Sequence, residues 1–182
     1  GESTWTRSHA PNSAPIAWRD FSRSGKVHGG ELITSSDTLT ERLQKLGVST
    51  SKPVLVAGKP PDNWGEDGRI VWMLRSLGHD RTSLVDGGVD ALAAAGVEMT
   101  SEAPEIPRGD FVVDRTPRWT ADRGDVRAAM GSDDTTILDT RETREYRGAT
   151  PYGEKRGGHV PGAKHLHYTD LLDTSGEIGR AH

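Results

Sequence analysis

Residues 139–170 read DTRETREYRGATPYGEKRGGHVPGAKHLHYTD, and this stretch of the chain decides the fold. The β-branched run at 135–138 that precedes it predicts a strand, which delivers Asp139 and Arg141 at its C-terminal end. A helical turn and the tight turn at 158–163, GHVPGA, then lead into another predicted strand. Because ligands bind outside the carboxyl ends of strands in open parallel sheets, this segment is the first candidate for a functional site.

An internal repeat connects this segment with the beginning of the chain. The sequence SHAPNSAPI at 8–16 corresponds to GHVPGAKHL at 158–166 at an offset of 150, and SGKV at 24–27 matches SGEI at 175–178. Such a repeat predicts two similar structural units. The strand before the motif of the second unit has no counterpart in the first. We therefore expect the chain to begin partway into one unit and to end partway into the next.

The middle of the chain alternates short apolar runs with helical patterns. Ser36 or Asp37 is expected to cap a helix that has Leu39, Leu43 and Leu46 on one face. Further strands are predicted at 53–57 and 83–85, and further helices at 66–77, 89–95 and 121–130. Alternation of strands and helices at these spacings predicts a parallel sheet with crossover connections.

Two prolines and mixed charge in 102–110 predict a linker between two domains. We expect residues 1–101 to form a first domain without its N-terminal elements. Residues 111–182 are expected to form the front part of a second domain, with the apolar run FVV at 111–113 as its first element.

Together these motifs resemble the rhodanese (sulfurtransferase) family. The resemblance lies in the strand-end D-x-R of 139–141, in EYRG at 145–148 and in GHVPGA at 158–163. The runs GRIVWMLRSLGH at 68–79 and LVDGGVDA at 84–91 are also similar to the tandem-domain members. The resemblance implies a rhodanese-like three-layer α/β/α fold with a parallel sheet, comprising a first domain and the front part of a second.

The chemistry of that family depends on a cysteine. Its thiolate takes a sulfane sulfur from a donor such as thiosulfate or 3-mercaptopyruvate, and the persulfide passes it to a thiophilic acceptor such as cyanide. The chain contains no cysteine. The family's cysteine position falls at or near Gly58, which implies that the first domain is non-catalytic. We expect a nucleophile downstream of His182, so that the complete protein is an enzyme of the thiosulfate sulfurtransferase type and this chain alone is inactive.

The resemblance assigns pocket-forming roles to four residues and a catalytic role to none. Asp139 and Arg141 are expected to pair and to tie the strand end to the following turn. Glu145 occupies a position where some tandem members carry an arginine that binds the anionic substrate, so donor specificity is not implied. His159 is expected to hydrogen-bond the backbone and fix the GHVPGA turn, with a general base as the alternative.

Three basic residues are candidates for substrate binding. The segment 139–164 carries six basic and four acidic residues and so has a local excess of positive charge in a chain of net charge −4. Arg144 is adjacent to Glu145 and is a candidate for the missing arginine. Arg156 and its neighbour Lys155 precede two glycines, whose backbone allows close approach of a ligand. A solvated charged loop is the alternative.

Composition argues against several classes of protein. The negative net charge, and tryptophans that are not interleaved with basic residues along the sequence, argue against a nucleic-acid partner. No apolar run approaches the roughly 20 residues that span a bilayer, so no membrane partner is expected. His165 and His167 share one face of a predicted strand, but no third ligand is evident, and we expect neither a metal nor a cofactor. Without a visible signal peptide a cytoplasmic location is expected, and a periplasmic one stays open.

Two other functions remain open at this point. One is a non-enzymatic rhodanese-homology module used for binding or regulation, which fits the missing cysteine and the glutamate at position 145. The other is a phosphatase related to the rhodanese fold, which also requires a cysteine. For the sulfurtransferase interpretation the expected partners are a small anionic sulfur donor, a thiophilic acceptor and the remaining C-terminal part of the same protein.

Overall fold

The computed structural model describes residues 2–25, 30–60 and 62–179. The chain forms two compact units, Gly1–Trp119 (unit 1) and Thr120–His182 (unit 2). The part of the predicted repeat at 26–27 lies outside the described residues. Among the described residues, no helix is long and apolar enough to cross a membrane.

The described part of unit 1 contains α-helices and a two-stranded parallel sheet. The elements are α1 (Glu2–Arg7), α2 (Ser36–Lys45), β1 (Val54–Val56), α3 (Glu66–Ser76), β2 (Thr82–Leu84) and α4 (Gly88–Ala94). β1 and β2 pair in parallel, with Val54 opposite Thr82 and Val56 opposite Leu84. The parallel pairing confirms the alternation of strands and helices that the sequence predicts.

The core of unit 1 lies where α2 and α3 pack against β1. Leu39 and Leu43 of α2 are fully buried, and so is Met73 of α3, because each helix turns one apolar stripe inward. The predicted cap of α2 at Ser36 or Asp37 is wrong by one or two positions. Ser35 is the N-cap, since its hydroxyl accepts a hydrogen bond from the Thr38 amide at 3.2 Å.

The segment that was predicted as a linker and as the start of the second domain belongs to unit 1. Phe111 is only 3% exposed in the core of unit 1, and its amide donates to the Val48 carbonyl at 3.2 Å. A Cβ at Gly109 would lie 2.8 Å from the carbonyl carbon of Gly47, so only glycine lets the segment run this close to the end of α2. The compact units therefore divide between Trp119 and Thr120 rather than within 102–110.

Arginines and tryptophans interleave on the surface of unit 1, although the sequence shows no such pattern. Arg69 stacks over Trp18 at 5.3 Å, and Arg75 and Arg118 stack over Trp119 at 5.3 and 5.0 Å. The sequence could not show this arrangement because the partners in two of these three contacts are more than 40 residues apart. The contact between Arg75 and Trp119, together with the hydrogen bond from Trp72 Nε1 to the Trp119 carbonyl at 2.7 Å, holds the 3₁₀ turn Pro117–Trp119 against α3.

Unit 2 is smaller and its sheet is also parallel. Its elements are α5 (Arg123–Ala129), β3 (Leu138–Asp139), α6 (Thr143–Tyr146), β4 (Lys164–His165) and the 3₁₀ turn Tyr168–Leu171. β3 pairs with β4 so that Asp139 lies opposite His165. Asp122 caps α5 and forms a capping box with Asp125.

The described part of unit 2 buries little apolar surface. Ala163 and Glu145 are its buried side chains, whereas Leu138 of β3 is 52% exposed. An open groove of about 390 Å³ runs beside α5, and it is lined by Ala121, Asp122, Arg123, Val126, Arg127, Met130, Val160 and Pro161. Unit 2 is therefore held by polar contacts around the strand ends more than by an apolar core.

Candidate functional site

A charged clasp closes the C-terminal end of β3. The guanidinium of Arg141 donates to both carboxylate oxygens of Asp139, from Nε at 3.0 Å and from Nη2 at 2.6 Å. Nη2 also donates to the Gly158 carbonyl at 2.9 Å. The Arg141 amide donates to the same carboxylate at 3.1 Å. These contacts tie the strand end to the start of the GHVPGA turn.

The clasp changes the acidity of both partners. The hydrogen bonds from the Arg141 side chain hold the pKa of Asp139 below its ordinary value, against the opposing effect of burial. The Asp139 carboxylate in turn raises the pKa of Arg141. Asp139 is thus an anion in the folded protein at neutral pH, and its negative charge is paired with the Arg141 guanidinium.

An aromatic stack lies next to the clasp. The ring of Tyr146 lies between those of His159, at 3.7 Å and 9°, and His165, at 4.6 Å and 25°. The Tyr146 hydroxyl donates to the Ala163 carbonyl at 3.0 Å. The Tyr146 carbonyl faces His159 Nδ1 at 2.8 Å, and the Arg141 carbonyl faces His165 Nε2 at 2.9 Å. Because carbonyl oxygens only accept hydrogen bonds, His159 carries its proton on Nδ1 and His165 carries its proton on Nε2.

In this stack His159 bonds to the backbone carbonyl of Tyr146 at the GHVPGA turn. Two further residues of the stack are ones that the sequence reasoning missed. Tyr146 and His165 were not singled out as members of the pocket. The available signal was the aromatic residue within EYRG, which stands before the histidine motif in the segment that decides the fold.

Glu145 is a buried residue of α6, and its hydrogen bond is local. Its carboxylate accepts a hydrogen bond from the Glu142 amide at 3.3 Å, as one half of a capping box with Glu142. A buried carboxylate at this position repels anions. Residue 145 therefore does not offer the contact to an anionic substrate that an arginine provides there in some tandem members.

The three predicted substrate-binding residues differ in their surroundings. Arg144 pairs with Glu142 at 2.6 Å, and this carboxylate, through its hydrogen bond, raises the pKa of Arg144. Lys155 and Arg156 are exposed in the loop before the GHVPGA turn, and no contact among the described residues joins them to the clasp. Their role in binding a donor stays a prediction.

The described residues contain no group of three or more histidine, cysteine, aspartate or glutamate side chains arranged to hold a metal ion. His165 bonds to the Arg141 carbonyl, whereas His167 Nδ1 bonds to the Thr169 hydroxyl at 2.7 Å. The two rings thus contact different groups, and His167 Nε2 is buried without a hydrogen-bond partner among the described residues.

The loop after β1 in unit 1 occupies the corresponding sheet edge. A Cβ at Gly58 would overlap Asn63 Nδ2 and Asp67 Oδ2 and would lie 2.7 Å from Asp67 Cγ. Asn63 Oδ1 accepts a hydrogen bond from the Gly65 amide at 3.2 Å, and Asp67 Oδ1 accepts one from the Gly68 amide at 2.8 Å. The space that a side chain at position 58 would need is therefore filled by two anchored polar groups.

Comparison with known proteins identifies relatives over most of the chain. It is 32% identical over 111 residues to a thiosulfate sulfurtransferase of Azotobacter vinelandii, covering 61% of this chain and 41% of that protein. It is 30% identical over 167 residues to a probable 3-mercaptopyruvate sulfurtransferase of Pseudomonas aeruginosa, covering 91% of this chain and 56% of the relative. No family model matches the chain.

The fold has a close counterpart among solved structures. A 3-mercaptopyruvate sulfotransferase of Escherichia coli with the rhodanese fold superposes with a TM-score of 0.81 at 24% identity, covering 98% of this chain and 66% of that one. This likeness shows the rhodanese-like α/β fold that the sequence predicts. The chain spans about half the length of the curated relatives it matches.

Proposed function

We propose that this chain is part of a tandem-domain sulfurtransferase of the rhodanese family. It would move a sulfane sulfur from thiosulfate or 3-mercaptopyruvate to a thiophilic acceptor such as cyanide, as a cytoplasmic protein. The observation that carries this proposal is the similarity to sulfurtransferases of both kinds, which extends over 91% of the chain for the Pseudomonas relative. The clasp at the carboxyl end of β3 supports it, because ligands bind at this edge of parallel sheets.

The proposed chemistry is a two-step transfer through a cysteine that lies outside these residues. The thiolate attacks the outer sulfur of thiosulfate, a new sulfur–sulfur bond forms, the donor's sulfur–sulfur bond breaks and sulfite leaves. Cyanide carbon then attacks the terminal sulfur of the persulfide, releasing thiocyanate and restoring the thiolate. This chain supplies the pocket wall: Asp139 and Arg141 fix the strand end, and Tyr146 and His159 fix the turn.

The basic loop supports an anionic donor in this scheme. Lys155 and Arg156 are exposed, and Gly157 and Gly158 follow them. We assign these two cations to attraction of the donor anion, through charge-assisted hydrogen bonds. Arg144 is assigned a weaker role, because Glu142 already pairs with it.

The test is turnover by the full-length protein with thiosulfate and with 3-mercaptopyruvate, with cyanide as the acceptor. We expect turnover that a cysteine-to-serine change in the part outside these residues abolishes, and no turnover by the 182-residue chain alone. Intact mass and peptide mapping of the full-length protein establish whether such a cysteine exists. A full-length protein with a cysteine in the expected loop but without turnover on either donor would refute the proposal.

A non-enzymatic binding or regulatory module is the second candidate. The absence of cysteine and the buried carboxylate of Glu145 favour it. The sequence downstream of His182 discriminates between the enzyme and the binding module, at the loop after the next expected strand of unit 2. A cysteine in a loop with glycine and arginine supports the enzyme, and a loop filled like that at Gly58 supports the binding module.

A further inference from the structure

A histidine of unit 1 is almost fully buried, and both of its ring nitrogens contact the backbone. His9 is only 2% exposed. Its Nδ1 lies 2.8 Å from the Trp5 carbonyl oxygen, and its Nε2 lies 3.1 Å from the Glu102 carbonyl oxygen. Because a carbonyl oxygen only accepts hydrogen bonds, both contacts are hydrogen bonds only when both ring nitrogens carry a proton. The geometry therefore favours an imidazolium cation at residue 9.

The groups around the His9 ring suit a positive charge. The ring stacks on the indole of Trp5 at 4.0 Å and 15°, and aromatic faces attract cations. The Trp5 carbonyl belongs to the last turn of α1, at the negative end of the helix dipole. Burial by itself disfavours the charged ring. In the neutral ring, however, one nitrogen would turn its lone pair toward a carbonyl oxygen in a site that excludes water, which is also unfavourable.

The corresponding histidine of the second repeat needs only one proton. The sequence repeat places His159 at the position of His9, and its Nδ1 also contacts the carbonyl of the aromatic residue on which it stacks. His159 is exposed, and its Nε2 has no second carbonyl contact among the residues that the structure describes. The difference between the two histidines is thus the second carbonyl oxygen, which Glu102 brings to His9.

The second proton of His9 joins two distant parts of unit 1. His9 and Thr100 form an antiparallel bridge in which each amide donates to the carbonyl of the other at 2.9 Å. The His9 amide is therefore not available to the Trp5 carbonyl, which accepts from the ring instead. The bond from Nε2 to Glu102 lies beside this bridge. Loss of one ring proton would replace one of the two ring contacts by the repulsion of two lone pairs.

We propose that His9 is an imidazolium in the folded chain and acts as a proton-dependent latch between residues 5–10 and residues 98–102. The charged side chains on these two segments are those of Arg7, Glu98 and Glu102, and all three are exposed, so solvent screens them. A low pH closes the latch, and a rising pH removes the second proton and loosens it. This inference does not depend on the proposed transfer chemistry.

The protonation state is measured by NMR on the 15N-labelled 182-residue chain. Spectra of the histidine rings show whether one or both nitrogens of each ring carry a proton, and the His9→Gln variant identifies the signals of residue 9. At about pH 7 we expect both nitrogens of His9 to be protonated and His159 to carry a proton on Nδ1 alone. At about pH 9 one nitrogen of His9 should have lost its proton.

Hydrogen exchange measures the latch itself. The Thr100 amide reports on the bridge to His9, and the Val85 amide, which donates to the Val56 carbonyl at 2.9 Å, reports on the sheet of unit 1. After correction for the intrinsic effect of pH on exchange, we expect the protection of Thr100 to fall about fivefold between about pH 7 and about pH 9. This is the effect of losing one hydrogen bond, and Val85 should change by less than about twofold.

Two variants test whether the effect belongs to His9. The His9→Gln variant should protect the Thr100 amide less than the parent chain at about pH 7, and this protection should not depend on pH. The matched control is His159→Gln, which removes the other histidine of the repeat and should leave the protection of Thr100 and its dependence on pH unchanged. If His9→Gln does not fold, the ring spectra and the exchange data of the parent chain still decide the proposal.

Several results would overturn the latch. A His9 ring that carries a single proton at about pH 7 would remove the imidazolium, and a ring that keeps both protons at about pH 9 would remove the switch. Thr100 protection that stays constant while the ring loses its proton would show that the proton holds nothing. An equal loss at Val85, or an unchanged pH dependence in His9→Gln, would assign the effect to another group. The transfer proposal is tested separately, by turnover, so either can fail alone.

Discussion

Gly58 lies at or near the position at which the rhodanese family carries its cysteine. A substitution there tests whether the loop after β1 has room for a side chain. We predict that Gly58→Ala destabilises unit 1 and that Gly58→Cys does so as well without creating sulfurtransferase activity. The new Cβ would overlap Asn63 Nδ2 and Asp67 Oδ2. Both groups must then leave positions in which they accept hydrogen bonds at the start of α3, from Gly65 and Gly68.

The magnitude follows from these contacts. Both overlapped atoms are the ends of side chains that can rotate away, so the overlap costs about 1 kcal/mol, the low end of the cost of inserting a methyl group into a packed site. Loss of the Asn63 hydrogen bond to the Gly65 amide adds about 1 kcal/mol, and the lower entropy of the unfolded alanine chain offsets about 0.4–1 kcal/mol. We therefore expect Gly58→Ala to lower the free energy of unfolding of unit 1 by about 1–1.5 kcal/mol. Gly68 is the matched control, because nothing lies within 4 Å of a Cβ there and the residue is within α3. Gly68→Ala is expected to stabilise the unit by up to about 1 kcal/mol.

The aromatic residues allow each unit to be followed separately. All five tryptophans lie in unit 1 and all three tyrosines lie in unit 2. Urea unfolding followed by tryptophan fluorescence therefore reports the free energy of unit 1. Thiosulfate-to-cyanide turnover of the Gly58→Cys chain is measured in parallel.

Two results would refute this reasoning. One is a Gly58→Ala variant as stable as Gly68→Ala, which would mean that the Asn63 and Asp67 side chains do not fill the site. The other is turnover by the Gly58→Cys chain. A double variant, Gly58→Ala with Asn63→Ala, provides a further check. If the overlap is the cause, the two changes should cost less together than the sum of their separate effects, by at least about 0.5 kcal/mol.

Three further predictions concern unit 2, with the NMR signals of its tyrosine rings as the readout. Arg141→Lys keeps the charge but loses the paired contacts with Asp139 and Gly158, so we expect a loss of about 1–2 kcal/mol, and unchanged stability would contradict the clasp. Because the pKa of Asp139 is lowered in the folded state, its contribution is complete above its unfolded pKa and is lost as the pH falls through the folded value. Asp139→Asn should flatten the dependence of stability on pH below about pH 4. Tyr146→Phe removes the bond to the Ala163 carbonyl but keeps the stack, so a loss of about 1 kcal/mol is expected, and a larger loss than for His159→Ala would show that the hydroxyl dominates.

The sequence predicts those parts of the structure that depend on local pattern. The stripe of Leu39 and Leu43, the parallel pairing of β1 with β2 and the pairing of Asp139 with Arg141 all follow from spacing or from the family motif. Contacts between distant residues are not visible in the same way. No periodicity shows that Phe111 enters the core of unit 1, because that contact depends on the path of a proline-containing segment across α2.

Both units place a histidine ring on an aromatic ring: His9 stacks on Trp5 in unit 1, and His159 stacks on Tyr146 in unit 2. In unit 2 the hydrogen bond between His159 and the Tyr146 carbonyl joins the two ends of the segment 147–158. Closing twelve residues rather than the three between Trp5 and His9 costs about 1.2 kcal/mol more, at about 0.6 kcal/mol for each doubling of length. One hydrogen bond such as that from Arg141 to Gly158 offsets about that much. The segment 147–158, which carries Lys155 and Arg156, can therefore be held at the end of β3 although unit 2 has little apolar core among its described residues.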